Sequence, residues 1–302
     1  VGLVITAWLL GNTLLLGAEP TAKPAPAVKP AKPPKAPKAP PPPPPPWVAP
    51  SLPDGQLVVH DQDPAMLVPP TDLPNQPGPD TYAVAKEAPL VDFAYFPGQD
   101  HAGRPWSGWG QGCFTNGRYY AAIGDHAWNA YIYEYDPAAS KLTQTLDIRA
   151  FLAMPEGHYT PGKVHSQLGA GQDGWIYFAT HNGGGGRATP ENHYAGDWLM
   201  RVHPGDAKAE IIAHGPAGLA SIPTGLFDAQ RQLFYGGTEQ ELRFLAYDVA
   251  KKEQLFLSEP NQGPSRAIIF SQSTGRVYVR VHGKEITPAR RFDPTTRELT
   301  VM

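Results

Sequence analysis

Four stretches of the chain repeat one pattern: "TNGRYYAAIGDH", "QDGWIYFATH", "AQRQLFYGGTE" and "STGRVYVRVH". Each opens on turn-forming residues and runs into a strand rich in aromatic and β-branched side chains, which suit a pleated, packed surface. Aligned on Tyr120, Tyr177, Tyr235 and Tyr278, the stretches are spaced by 57, 58 and 43 residues. After each comes a second strand ending at an Asp-Pro-like turn: "YIYEYDPAASK", "LMRVHPGDAK", "FLAYDVAKKE" and "ARRFDPTTRE". Those turns centre on Asp136, His203, Asp248 and Asp293. A short apolar strand then follows: "LTQTLDI", "AEIIAHG", "QLFLSE" and "LTVM". Helical spacing is confined to "IRAFLAM", between the first two units.

Each unit therefore reads as four strands punctuated by Gly, Asn, Asp and Pro. Units of roughly 40 to 50 residues with four strands each are the sequence signature of β-propeller blades. The expected fold is all-β, a propeller of four-stranded antiparallel blades at about 106–150, 160–215, 218–259 and 262–302. Residues 51–105 read as an irregular lead-in whose "GQLVVHD" and "TYAVAKEAPLVDFAYFP" supply strands of a partial blade. Four blades are visible, whereas most propellers close with six to eight. The expectation is an incomplete part of such a ring, with a closed ring of four or five blades as the alternative. Over residues 106–302 the pattern resembles bacterial secreted propellers of the broad kelch, YVTN and quinoprotein-like kind. The third unit alone has the kelch-style paired glycines, Gly236 and Gly237, and the tryptophan-docking motif of quinoproteins is missing. The resemblance implies an architecture and assigns no residue a role.

Ahead of the repeats lie two segments of different character. "VGLVITAWLLGNTLLLGAEP" has no charge before Glu19, and residues 1–18 read as a signal peptide or a membrane anchor. Residues 19–50 are almost entirely Pro, Ala and Lys. Proline fixes φ and lacks an N–H, so this stretch is expected as an extended, disordered, basic linker with no core of its own. An apolar leader followed by a spacer predicts export to the periplasm, cell surface or exterior. A net charge of −3 argues against nucleic-acid binding. The single Cys113 cannot form an internal disulfide and reads as a small buried side chain.

Chemistry concentrates in "GKVHSQLGAGQDGWIYFATHNGGGG", where His165 and His181 are equidistant from Asp173. If Gln172, Asp173 and Gly174 form a three-residue turn, the two histidines face each other at the open end of a hairpin. Directly opposed residues on one face lie close enough to share an ion. Four residues beyond the shared tyrosine stand Gly124 (then Asp125 and His126), His181, Glu239 and His282. A turn centred on Thr274 sets Arg266 opposite His282. Inter-blade loops add His101, Arg104, Trp106, His158 and Tyr159 to the same rim. The candidate site is thus His165 and His181 as metal ligands, with Arg104, Trp106, His126, His158, Glu239, Arg266 and His282 as ligand-binding residues. Structural hydrogen bonding by the two histidines is the competing reading, since no H-E-x-x-H or C-x-x-C motif occurs. "NGGGGRATPENHYAGD" reads as a flexible flap carrying Arg187 and His193, and the Trp109 and Tyr119/Tyr120 aromatics as blade packing. "VVHDQDP", with His60, Asp61 and Asp63, reads as solvated surface.

Two functions follow. One is a secreted propeller that binds an extracellular carbohydrate or protein on its upper face. The other is an enzyme using a divalent metal (Mn, Zn or Ca) held by His165 and His181. Its analogue is the oligogalacturonate lyase type of propeller, which holds a metal with several His; in that scheme the metal and Arg266 would neutralise a uronate carboxylate before β-elimination.

Overall fold

The structure, a computed structural model, describes residues 56–68, 85–96, 108–126, 129–183, 188–206, 208–264, 266–281 and 287–302. The leader, the linker, Arg104, Trp106, His101, Arg187 and His282 lie outside those residues. A two-stranded ribbon comes first, β1 (Val58–Asp61) paired antiparallel with β2 (Val91–Ala94). The first four-stranded sheet runs β3 (Cys113–Thr115), β4 (Arg118–Gly124), β5 (Ala130–Asp136) and β6 (Lys141–Asp147). A short helix α1 (Ile148–Leu152) follows, where the sequence shows its one helical period. The second sheet holds β7 (Lys163–Val164), β8 (Gly169–Ala170), β9 (Ile176–His181), β10 (Trp198–His203) and β11 (Lys208–His214). The third is β12 (Thr224–Asp228), β13 (Leu233–Gly237), β14 (Phe244–Asp248) and β15 (Glu253–Leu257). The fourth is β16 (Ile268–Phe270), β17 (Val277–Val279), β18 (Arg290–Asp293) and β19 (Glu298–Val301).

The repeat is an exact structural equivalence at its turns. Asp136, His203, Asp248 and Asp293 each pair with the residue five positions on: Lys141, Lys208, Glu253 and Glu298. Three of the four turns close with a left-handed residue, Ser140, Lys252 and Arg297, at φ between 51° and 59°. The aspartate side chains secure those turns by accepting from backbone N–H groups two or three residues on. This is the Asx-type local bonding that makes Asp a turn former.

The cores lie between sheets, not within them. One cluster joins Tyr120 and Ile132 of the first sheet to Ile176, Phe178 and Met200 of the second. A second joins Tyr177 and Leu199 to Phe227, Phe234 and Leu245 of the third. The third joins Tyr235 and Phe244 to Val277 and Phe292 of the fourth. A sheet covered on both faces has no solvent side to alternate with, so β9, β13 and β14 are buried along their whole length. On its remaining face the first sheet packs Ile123, Tyr131 and Tyr133 against Val58 of the ribbon. Four successive sheets stacked face to face, innermost strands in contact with one another (β3 with β8, β8 with β12, β12 with β16), are blades of a β-propeller.

One blade departs from the pattern. Its innermost strand is broken into β7 and β8, which both pair with β9 but in different registers: Ala170 opposes Ile176, while Val164 opposes Thr180. Two extra residues are absorbed between them. Ser166 replaces the missing ladder, its hydroxyl bonding both the N–H and the carbonyl of Ala179. The freed backbone turns outward: Leu168 N–H donates to Gln111 of the first blade's lead-in, and Gln167 N–H to Gly225 of the third blade.

Candidate functional site

The starts of the innermost strands and the ends of the second strands meet on one rim. There β7 delivers Lys163, β9 delivers His181 and Asn182, and the residues beyond β13 supply Glu239. His126 follows β4, and Arg266 precedes β16. The irregular stretch corrects the expected pairing. His165 is not opposite His181; Lys163 is. In a regular three-residue hairpin Lys163 would project past the open end. The two-residue bulge draws it level with His181 and leaves His165 beside them, a use of irregularity to re-aim side chains. The two imidazoles still meet edge to face, with centroids 5.4 Å apart. The fourth blade is also one residue out of the expected register. Ile268 opposes Val279, which carries Arg266 level with Val281 and not with residue 282.

Each imidazole has a nitrogen lone pair already engaged. His181 Nδ1 accepts from Gly183 N–H at 2.9 Å, and His126 Nε2 accepts from the Trp109 indole N–H at 2.6 Å. His165 Nε2 lies 3.5 Å from Arg266 Nη1, a guanidinium that can only donate. A neutral imidazole with one nitrogen accepting carries its proton on the other. The second nitrogens face inward: His181 Nε2 lies 3.6 Å from Glu239, and His165 Nδ1 is buried with no hydrogen-bond partner among the described residues. Burial, then the Lys163 and Arg266 charges, push His165 down to about 4 and drive His181 still further below the ordinary imidazole range. His126 is lowered for the same reasons, burial first and Lys163 second.

Lys163 is the residue that sequence reasoning passed over. Only 7% exposed, it holds its ammonium 4.8 Å from the centre of the Trp109 ring, a cation–π contact. Burial and the neighbouring Arg266 lower its pKa. Among the described residues neither Lys163 nor Arg266 has a carboxylate within ion-pairing distance, and Glu239 is the one anion acting on Lys163. Trp109, read from the sequence as packing, is 48% exposed and touches His126, His165 and Lys163 at once. Gly183 makes the arrangement possible. It sits at φ 82°, and a Cβ there would meet the backbone of His126 at under 3 Å.

A buried scaffold stands behind the rim. Asp197, fully buried, accepts hydrogen bonds from Tyr159, Thr180 and Ser221 hydroxyls. Ser221 in turn accepts from Asn182 N–H, and the Asn182 amide reaches Glu239 at 3.3 Å. Tyr159 thus belongs to this buried network, not to the ligand-facing rim. His158 stacks on His193, with centroids 4.1 Å apart. Residues 188–197 are docked instead of forming a loose flap: Asn192 carbonyl accepts from Tyr159 N–H, and Tyr194 packs on the Tyr159 ring. Cys113 is half-buried and packs against the first core cluster, and desolvation pushes its thiol up to about 11. His60 pairs with Asp92, and Asp63 caps the short 3-10 turn Pro64–Leu67. Among the described residues no three His, Cys, Asp or Glu side chains are placed to hold a metal ion.

Fold and rim together define a β-propeller protein with a cationic, imidazole-lined upper face. No family model and no curated protein matches the chain. It is similar to solved propeller-like structures. One is an auxiliary nutrient-binding protein from Bacteroides thetaiotaomicron, at 11% identity over 65% of this chain and 41% of that one, TM-score 0.44. Another is the periplasmic gluconolactonase of Pseudomonas aeruginosa, at 11% identity over 64% and 56%, TM-score 0.43. A third is the β-propeller domain of the Trilobed protease from Pyrococcus furiosus, at 9% identity over 65% and 58%, TM-score 0.39. The chain spans 22% of the extracellular domain of a one-component system from Bacteroides thetaiotaomicron and 59% of a nidogen/laminin complex chain, two further structures it resembles.

Proposed function

We propose that this chain is an exported propeller that binds a carboxylate-bearing extracellular carbohydrate on the rim formed by Lys163, His165, His181 and Arg266. The observation that carries the reading is the pair of cations. Lys163 and Arg266 converge beside the neutral imidazoles of His165 and His181, and among the described residues Glu239 is the one carboxylate acting on Lys163. Such a site donates hydrogen bonds and positive charge, which is what a carboxylate accepts. A metal would need the lone pairs that Gly183, Trp109 and Arg266 occupy, and would meet two fixed positive charges nearby. The exposed Trp109 ring supplies the flat apolar surface on which a sugar stacks. Export rests on the apolar leader and the proline-rich spacer of the sequence.

The test compares oligogalacturonate with its methyl ester by calorimetry. Esterification removes the charge and keeps the sugar backbone. The acid form is expected to bind, and the ester to bind at least about tenfold more weakly, the scale of one charge-assisted hydrogen bond. Lys163→Met and Arg266→Met should each cost about as much, and a chelator should change nothing. Equal binding of acid and ester, or loss of binding on chelation, would refute the reading.

A further inference from the structure

We infer that the chain carries a second ligand site, an aromatic cage for a trimethylammonium group, between the β1–β2 ribbon and the first blade. It shares no residue with the histidine rim and does not depend on the function proposed there. The strand alternation builds it. Tyr119 and Ala121 of β4 stand opposite Tyr135 and Tyr133 of β5, so all four point to the ribbon side. The ribbon answers with Asp92, Ala94 and, just past β2, Phe96. Where Ala121 and Ala94 contribute only methyl groups, the two surfaces fail to meet. They leave a cavity of about 160 Å³. An apolar space of about 150 Å³ takes a benzene-sized ligand.

The lining says what would enter. Four aromatic side chains surround the space; Phe96 meets Tyr133 edge to face at 4.9 Å, and Tyr119 is 44% exposed. Among the described residues that line it, the one charge is the Asp92 carboxylate. It accepts from the Tyr135 hydroxyl and pairs with His60 Nδ1 at 2.5 Å, and those two hydrogen bonds hold it below the usual carboxylate range. Among the described residues no Lys or Arg reaches it. Ring faces with a carboxylate attract a cation and reject an anion. A primary ammonium would need acceptors for three N–H groups, which aromatic rings do not offer, whereas a quaternary ammonium needs none. Free choline and a phosphatidylcholine headgroup both present that group.

Calorimetry on the whole chain at pH 8 would compare choline with 3,3-dimethyl-1-butanol, its uncharged isostere. Choline is expected to bind roughly tenfold more tightly, as a desolvated cation–π site would give. Tyr119→Leu and Asp92→Asn should each weaken choline several-fold; Tyr119 is half exposed, so its loss leaves the melting temperature nearly unchanged. Cosedimentation with phosphatidylcholine vesicles that free choline reverses would assign a lipid source. Choline binding without vesicle binding would assign a free small molecule. Equal affinity for the neutral isostere, or no binding of choline, would overturn the proposal.

Discussion

A fully buried carboxylate is the residue on which the rim is built. Asp197 receives hydroxyls from Tyr159 and Thr180 of its own blade and from Ser221 leading into the third, and through Ser221 and Asn182 it fixes Glu239 beside His181. Burial nonetheless dominates and raises its carboxyl to about 6, against an ordinary 3.8. The unfolded chain releases that proton near the ordinary value while the folded chain holds it. Stability from this group is therefore complete below about pH 4 and falls as pH rises towards 6. Asp197→Asn cannot ionise and lacks that slope. Urea unfolding of the two proteins should show a stability difference largest near pH 4 and smaller by up to about 3 kcal/mol above pH 6. A difference that stays constant with pH would show that Asp197 ionises in the folded state as freely as in water.

At the scale of the element, the decisive feature is the break between β7 and β8. Its backbone is satisfied by Ser166 within the blade and by Gln111 and Gly225 from the two neighbouring blades. Gly110 lies against it, where an added Cβ would approach the Ser166 carbonyl oxygen to 2.1 Å. Gly110→Ala should therefore cost about 1–3 kcal/mol by overpacking against backbone. Ser166→Ala should cost a similar amount by stranding the Ala179 peptide groups. Both should also weaken ligand binding at the rim beyond what stability explains, because the bulge places Lys163 and His165. Denaturant melts beside binding isotherms would separate the two effects; variants that bind normally once folded would detach the bulge from the site.

For the molecule as a whole, stability resides in the joints between blades. Tyr177 of the second blade stacks on Phe227 of the third, with centroids 3.9 Å apart, inside a core drawn from both. Such stacked units behave as a series of nearest-neighbour interfaces. Phe227→Ala should remove about 3–5 kcal/mol and expose the second and third blades together to hydrogen exchange. Exchange confined to one of them would mean that each sheet is stable alone.

The sequence by itself determined the blades and much of their level. Turn chemistry and strand composition act between near neighbours in the chain, so the Asp turns at 136, 248 and 293, α1, and the alignment of His181 with Glu239 could all be read in advance. The tertiary structure decided which side chains share the rim. The bulge exists because residues more than fifty positions away take up its freed N–H groups, and a hairpin rule that sees only the local strand cannot anticipate them. That is why Lys163, and not His165, faces His181. The same holds for Trp109, whose ring meets Lys163 and His165 of the second blade more than fifty residues on, and for the cavity beneath Tyr119, which depends on an alanine of β2 about twenty-five residues earlier.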